Sequence, residues 1–147
     1  MPKFQTILVP VDGSVNSERA LSYAAYLALQ CSASIGVLHV VNLSSAVAAI
    51  GHVGTGGYIP DRVLDDIQEA GQSVIDEALK KIPPEVEAKG FLEIGSPKDI
   101  VVTFCAEKKY DVVIMGSRGL GTIEQLVLGS VSSYVLYHSN CPVMVVK

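Results

Sequence analysis

Apolar and polar positions run along this chain in two rhythms that take turns. Short, dense apolar runs predict strands at about residues 4–11, 35–41, 87–94, 111–115 and 142–146. Between them, apolar residues recur every three or four positions and predict helices at about 15–32, 61–82, 97–109 and 130–138. The 61–82 segment is the clearest. Val63, Leu64, Ile67, Ala70, Val74, Ile75, Ala78 and Leu79 make one stripe there, and Pro83-Pro84 ends the helix. Strands alternating with helices predict an α/β fold: one doubly wound, five-stranded parallel sheet with helices on both faces.

The texture of each strand predicts its place in the sheet. Ile7–Val11 and Val112–Met115 are unbroken apolar runs, as strands buried on both faces require. Glu87–Glu93 alternates in polarity and contains Gly90, which suits an edge, and so does a strand opened by Pro142. The order 3-2-1-4-5 satisfies these constraints, a Rossmann-like arrangement whose switch point lies between the first and fourth strands. Ligands of such sheets bind in the crevice outside the C-terminal strand ends at that point. Here Pro10–Ser14 and Gly116–Gly119 would line it. No repeat or second domain is visible, so residues 1–147 read as one domain.

The chemistry-bearing sequence lies at that same place. Gly116-Ser117-Arg118-Gly119 follows the buried run Val112–Met115, and nine residues later comes Gly129-Ser130-Val131-Ser132, which opens a helix. Glycine turns the chain sharply and leaves no Cβ between backbone N–H groups and an anion. A helix N-terminus adds unpaired N–H donors and the positive end of a dipole. Together these describe a phosphate cradle. The spacing Gly-x2-Gly-x9-Gly-Ser resembles the nucleotide-binding signature of the universal stress protein family.

Further landmarks occur in the family's order: Ile7–Ser14 is similar to its first strand and turn, and Leu38-His39-Val40-Val41 to its second strand. Gly95-Ser96-Pro97 is similar to the turn before its third helix, and Cys141–Val146 to its last strand.

The resemblance implies the 3-2-1-4-5 sheet, ATP as ligand, magnesium held by the nucleotide phosphates rather than by a protein metal site, and a homodimer through strand 142–146. It also places Val40 where the family contacts adenine. From the residues themselves, Gly116, Gly119, Gly129 and the amides of Ser130, Val131 and Ser132 are the expected phosphate holders, with the Ser130 and Ser132 hydroxyls as further donors. Arg118 supplies positive charge; Pro10, Val11 and Met115 supply apolar wall. Asp12 has two readings: a contact to ribose, adenine or a metal-bound water, or a cap for helix 15–32, a role Ser14 and Asn16 also fit. Ala46–Gly57 reads either as a lid or as a plain connector, and Gly121 as part of the ligand loop or only a turn.

Composition narrows the classes. The chain has 147 residues, 49% apolar, with net charge −4, which gives no electrostatic case for a nucleic-acid partner. No apolar stretch approaches the ~18 residues of a membrane helix, and Ile7–Val11 is too short for a signal sequence, so a cytoplasmic protein is expected. Cys31, Cys105 and Cys141 form no paired framework and read as small core residues. His39 reads as a packed sheet residue, and His138 as a partner of the last helical carbonyls. A P-loop lysine, a Gly-x-Gly-x-x-Gly fingerprint after the first strand and zinc-ligand spacing are all missing, and Asp111 sits at the wrong end of its strand for a phospho-receiver. These observations favour a nucleotide-dependent regulatory switch with a protein partner still to be identified. The alternatives are a slow ATPase or self-phosphorylating enzyme using Ser130 or Ser132, and a dimeric scaffold without nucleotide.

Overall fold

The structure, a computed structural model, describes residues 3–50, 59–119 and 128–147. In chain order the elements are β1 (Thr6–Pro10), α1 (Val15–Cys31), β2 (Ser34–Val41), α2 (Leu43–Ile50), α3 (Asp61–Lys80), β3 (Ala88–Ile94), α4 (Pro97–Glu107), β4 (Val112–Gly116), α5 (Ser130–His138) and β5 (Val143–Val146). The strands form one parallel sheet in the order β3-β2-β1-β4-β5, as the strand texture predicts. Ile7 pairs with Ile35 on one side and Val112 on the other, which puts β1 at the centre.

Successive strand residues face opposite sides, so each central strand feeds two cores. Ile7, Val9, Ile35, Val37, Val112 and Ile114 pack under α1 and α3. Leu8, Leu38, Val113 and Met115 pack under α4 and α5, against Val101, Phe104 and Val135. Ile7, Leu8 and Val9 are wholly buried, and each contributes about 1.5–3 kcal/mol of transfer free energy.

Two segments differ from their sequence patterns. Residues 43–50, expected within a loop, form α2: the Asn42 Oδ1 accepts the Ser45 N–H at 3.2 Å, and the alanines that follow are strong helix formers. The remainder of the lid-or-connector segment, residues 51–57, lies outside the described residues, as does Gly121. On α3 the buried row is Val63, Ile67, Gly71, Ile75 and Ala78, while Ala70 is exposed. Gly71 sits inward because α3 comes so close that a Cβ there would stand 2.8 Å from the Leu92 side chain.

Candidate functional site

At the C-terminal ends of β1 and β4 the chain departs toward opposite faces, into α1 and into the glycine turn, and a crevice of about 360 Å³ opens between them. Its size falls within the ~300–1,000 Å³ of ordinary ligand sites. Pro10, Val11, Asp12, Val40, Met115, Gly116, Arg118, Gly119, Gly129, Ser130, Val131 and Ser132 all line it, whereas Gly13, Ser14 and Ser117, expected in the same two stretches, shape its turns without lining it.

Each wall has a local cause. After β1, Gly13 takes φ +81°, a left-handed turn that favours glycine. The Asp12 Oδ1 accepts the Ser14 N–H at 2.9 Å, which fixes the carboxylate at the crevice mouth. The cap of α1 is Ser14, whose Oγ accepts the Ser17 N–H at 3.2 Å. Asp12 therefore shapes the turn and leaves the capping to its neighbour.

On the other wall, the Ser117 carbonyl accepts both the Gly129 N–H at 2.7 Å and the Ser132 hydroxyl at 2.8 Å. The start of α5 is thereby stapled beside the end of β4. Ser132 is buried, and its hydroxyl donates to backbone rather than outward to a ligand. That corrects the expectation of a donating Ser132 side chain: its single proton is committed to the staple. The first helical bond of α5 runs from Ser133 N–H to the Gly129 carbonyl. The amides of Ser130, Val131 and Ser132 therefore lead the helix, with no helical carbonyl upstream to receive them.

Close approach marks all three glycines, and at Gly116 it is to backbone that cannot yield. A Cβ on Gly119 would overlap the Asp12 carboxylate, and one on Gly129 would stand 3.3 Å from the Ser117 carbonyl oxygen. A Cβ on Gly116 would stand 2.8 Å from the Asn16 carbonyl carbon in the first turn of α1. These bare backbones are what an anion-holding turn needs, and the residues present fit a nucleotide phosphate chain.

Four lining residues escaped the sequence reading: Ser17, Leu38, Pro97 and Val101. Leu38 pairs with Pro10 across the sheet, and Pro97 and Val101 lie one turn apart on α4. Their signal was available only once register and helix phase were known. Outside the crevice, His39 Nδ1 meets the Val11 carbonyl at 2.7 Å and His138 Nδ1 meets the Tyr134 carbonyl at 3.0 Å, both structural roles. Asp111 lies at the other end of the sheet, where its Oδ2 accepts the Gln5 and Thr6 amides at 2.8 and 2.9 Å. Burial works to raise its pKa, yet these donors outweigh burial and hold it below the ordinary carboxylate value. Among the described residues, no helix is long and apolar enough to cross a membrane.

The profile of the Universal stress protein family matches residues 3–147. The chain belongs to the universal stress protein family. Among curated members, a universal stress protein of Bacillus subtilis is 31% identical over 98% of this chain and 99% of its own length. Among solved structures, the universal stress protein of Lactobacillus plantarum superposes with a TM-score of 0.79 at 23% identity, covering 100% of both chains. That of Archaeoglobus fulgidus in complex with dAMP has a TM-score of 0.69 at 25% identity, again over 100% of both chains.

Proposed function

We propose that this protein binds ATP in the crevice between β1 and β4 and acts as a nucleotide-dependent regulatory switch in the stress response. The observation that carries this reading is the convergence of Asp12, Gly119, Gly129 and the leading amides of α5 on one crevice. Amide donors and Arg118 take the phosphates, Val40 takes the base against the Met115 and Val11 walls, and Asp12 takes the ribose. Each hydrogen bond to charged oxygen contributes about 1.5–3 kcal/mol, so a few suffice for micromolar affinity, about 8 kcal/mol. The dAMP complex of the Archaeoglobus fulgidus relative supports an adenine nucleotide as the ligand class. Magnesium, where it accompanies the nucleotide, would be held by the phosphates rather than by protein side chains.

The route from nucleotide to surface is short. Ser117, whose carbonyl holds the start of α5, donates its own N–H to the Val146 carbonyl of β5 at 2.7 Å. A change at the cradle therefore reaches the edge strand through one residue. In this reading β5 is where two copies pair in the cytoplasm, and a protein partner reads the dimer surface. The test is mass spectrometry of small molecules released by denaturing freshly purified protein. ATP or another adenine nucleotide at near-stoichiometric yield is expected. A protein that releases none, and shows no heat with millimolar ATP, contradicts the reading.

A further inference from the structure

The sequence offers three cysteines without a pairing pattern, yet the fold brings two of them together. Cys105 is buried on α4, and Cys141 lies partly exposed in the turn before β5, 36 residues later, with their Sγ atoms 3.0 Å apart. That is roughly 1 Å more than the ~2.05 Å of a disulfide bond, so little movement separates contact from a covalent link. Both thiols pack against the same core, beside Val113 and Val135, and the Ser139 hydroxyl lies 3.3 Å from the Cys141 sulfur. Cys31 packs into the core on the other face of the sheet. The stretch between Cys105 and Cys141 contains β4, the glycine turn and the whole of α5.

We propose that Cys105 and Cys141 are a redox-sensitive pair, which a peroxide oxidises to an intrachain disulfide that ties together both ends of the segment carrying the glycine turn. Cys141, the more exposed, attacks one peroxide oxygen as its thiolate. The O–O bond breaks, hydroxide leaves and takes a proton to become water, and Cys141 becomes a sulfenic acid. Cys105 then attacks the Cys141 sulfur, the S–O bond breaks, and the Cys105 proton departs with the hydroxide as a second water. Two thiols thus lose two electrons and two protons, and the peroxide is reduced to two waters. Burial and the hydrogen bond to Cys141 push the Cys105 thiol up to about 12, which leaves it the poorer nucleophile toward peroxide, so the more exposed Cys141 reacts first. A dithiol reductant reverses the link by exchange.

The experiment treats the full chain with hydrogen peroxide, then compares intact mass, peptide maps and thermal unfolding with protein kept in dithiothreitol. The expected result is loss of two hydrogens, one cross-linked peptide pair joining Cys105 to Cys141, and a Tm raised by roughly 5–15 °C, all reversed by dithiothreitol. C31S behaves like the parent chain, whereas C141S forms no cross-link and gains no stability on oxidation. Peptide mapping of the unsubstituted protein decides the matter even if a variant folds poorly. Three unmodified thiols after peroxide, a cross-link through Cys31 or between chains, or Cys141 recovered only as sulfinic acid would each overturn the proposal.

Discussion

At Gly119 a single methyl group is enough to disturb the site, because its Cβ would overlap the Asp12 carboxylate across the crevice mouth. Gly119→Ala should displace that carboxylate and weaken ATP binding about tenfold, roughly the 1.4 kcal/mol of one good hydrogen bond, with the melting temperature nearly unchanged. Titration calorimetry beside thermal unfolding checks both halves. Asp111 gives a contrasting case, a charged residue whose work is structural. Its folded pKa is depressed, so the stability it contributes is present above the unfolded value near 3.9 and is lost as pH falls through the folded one. Asp111→Ala should lower stability by about 1 kcal/mol at neutral pH, a figure already discounted for the residue's partial exposure. The gap to the parent chain should close below about pH 4. Urea unfolding at several pH values would show it, and a gap that persists at pH 2 would contradict the assignment.

At the scale of elements, the crevice depends on α1 lying against the end of β4. A Cβ on Gly116 would meet Asn16 backbone, which has no rotamer through which to yield. Gly116→Ala should therefore cost about 1–3 kcal/mol of stability and weaken nucleotide binding as well; denaturant midpoints and calorimetry measure the two effects. Why some elements were legible in sequence and others were not follows from the same contacts. The strand order could be read because Ile7–Val11 and Val112–Met115 are apolar on both faces while Glu87–Glu93 is not. The cradle could be read because its glycines and serines are contiguous in two short stretches. α2 was missed because Ser44, Ser45 and Ala46 carry no stripe; its start is marked by the Asn42 side chain alone. Gly71 displaced Ala70 on the buried row because close helix–sheet approach selects the smallest residue, a fact that periodicity does not carry. Cys105 and Cys141 were read as separate core residues because their meeting depends on where α4 ends relative to the turn before β5.

At the scale of the whole molecule, β5 leaves an edge unpaired among the described residues, with Met144 39% exposed in its middle. Unpaired strand N–H and C=O groups invite another strand, and a two-fold axis would let β5 pair with its own copy and close both edges at once. Light scattering at micromolar concentration should give twice the 15.6 kDa of one chain, and Met144→Pro, which removes a ladder donor, should shift the mass toward that of one chain. A parent protein of one-chain mass would refute the dimer. Turnover should fall well below the ~1–10³ s⁻¹ of ordinary enzymes, since Asp12 is the sole carboxylate and Arg118 the sole cation among the described crevice residues. Steady-state phosphate release of several per second, lost on Asp12→Asn, would instead favour an enzyme. The central claim is that the bare backbone at Gly129 and the start of α5 hold a nucleotide's phosphates. Gly129→Val tests it most directly, because the new side chain would enter the cradle beside the Ser117 carbonyl. Calorimetry should show micromolar ATP binding by the parent protein and none by the variant, with unchanged far-UV circular dichroism. Equal ATP affinity in the two folded proteins would contradict the account.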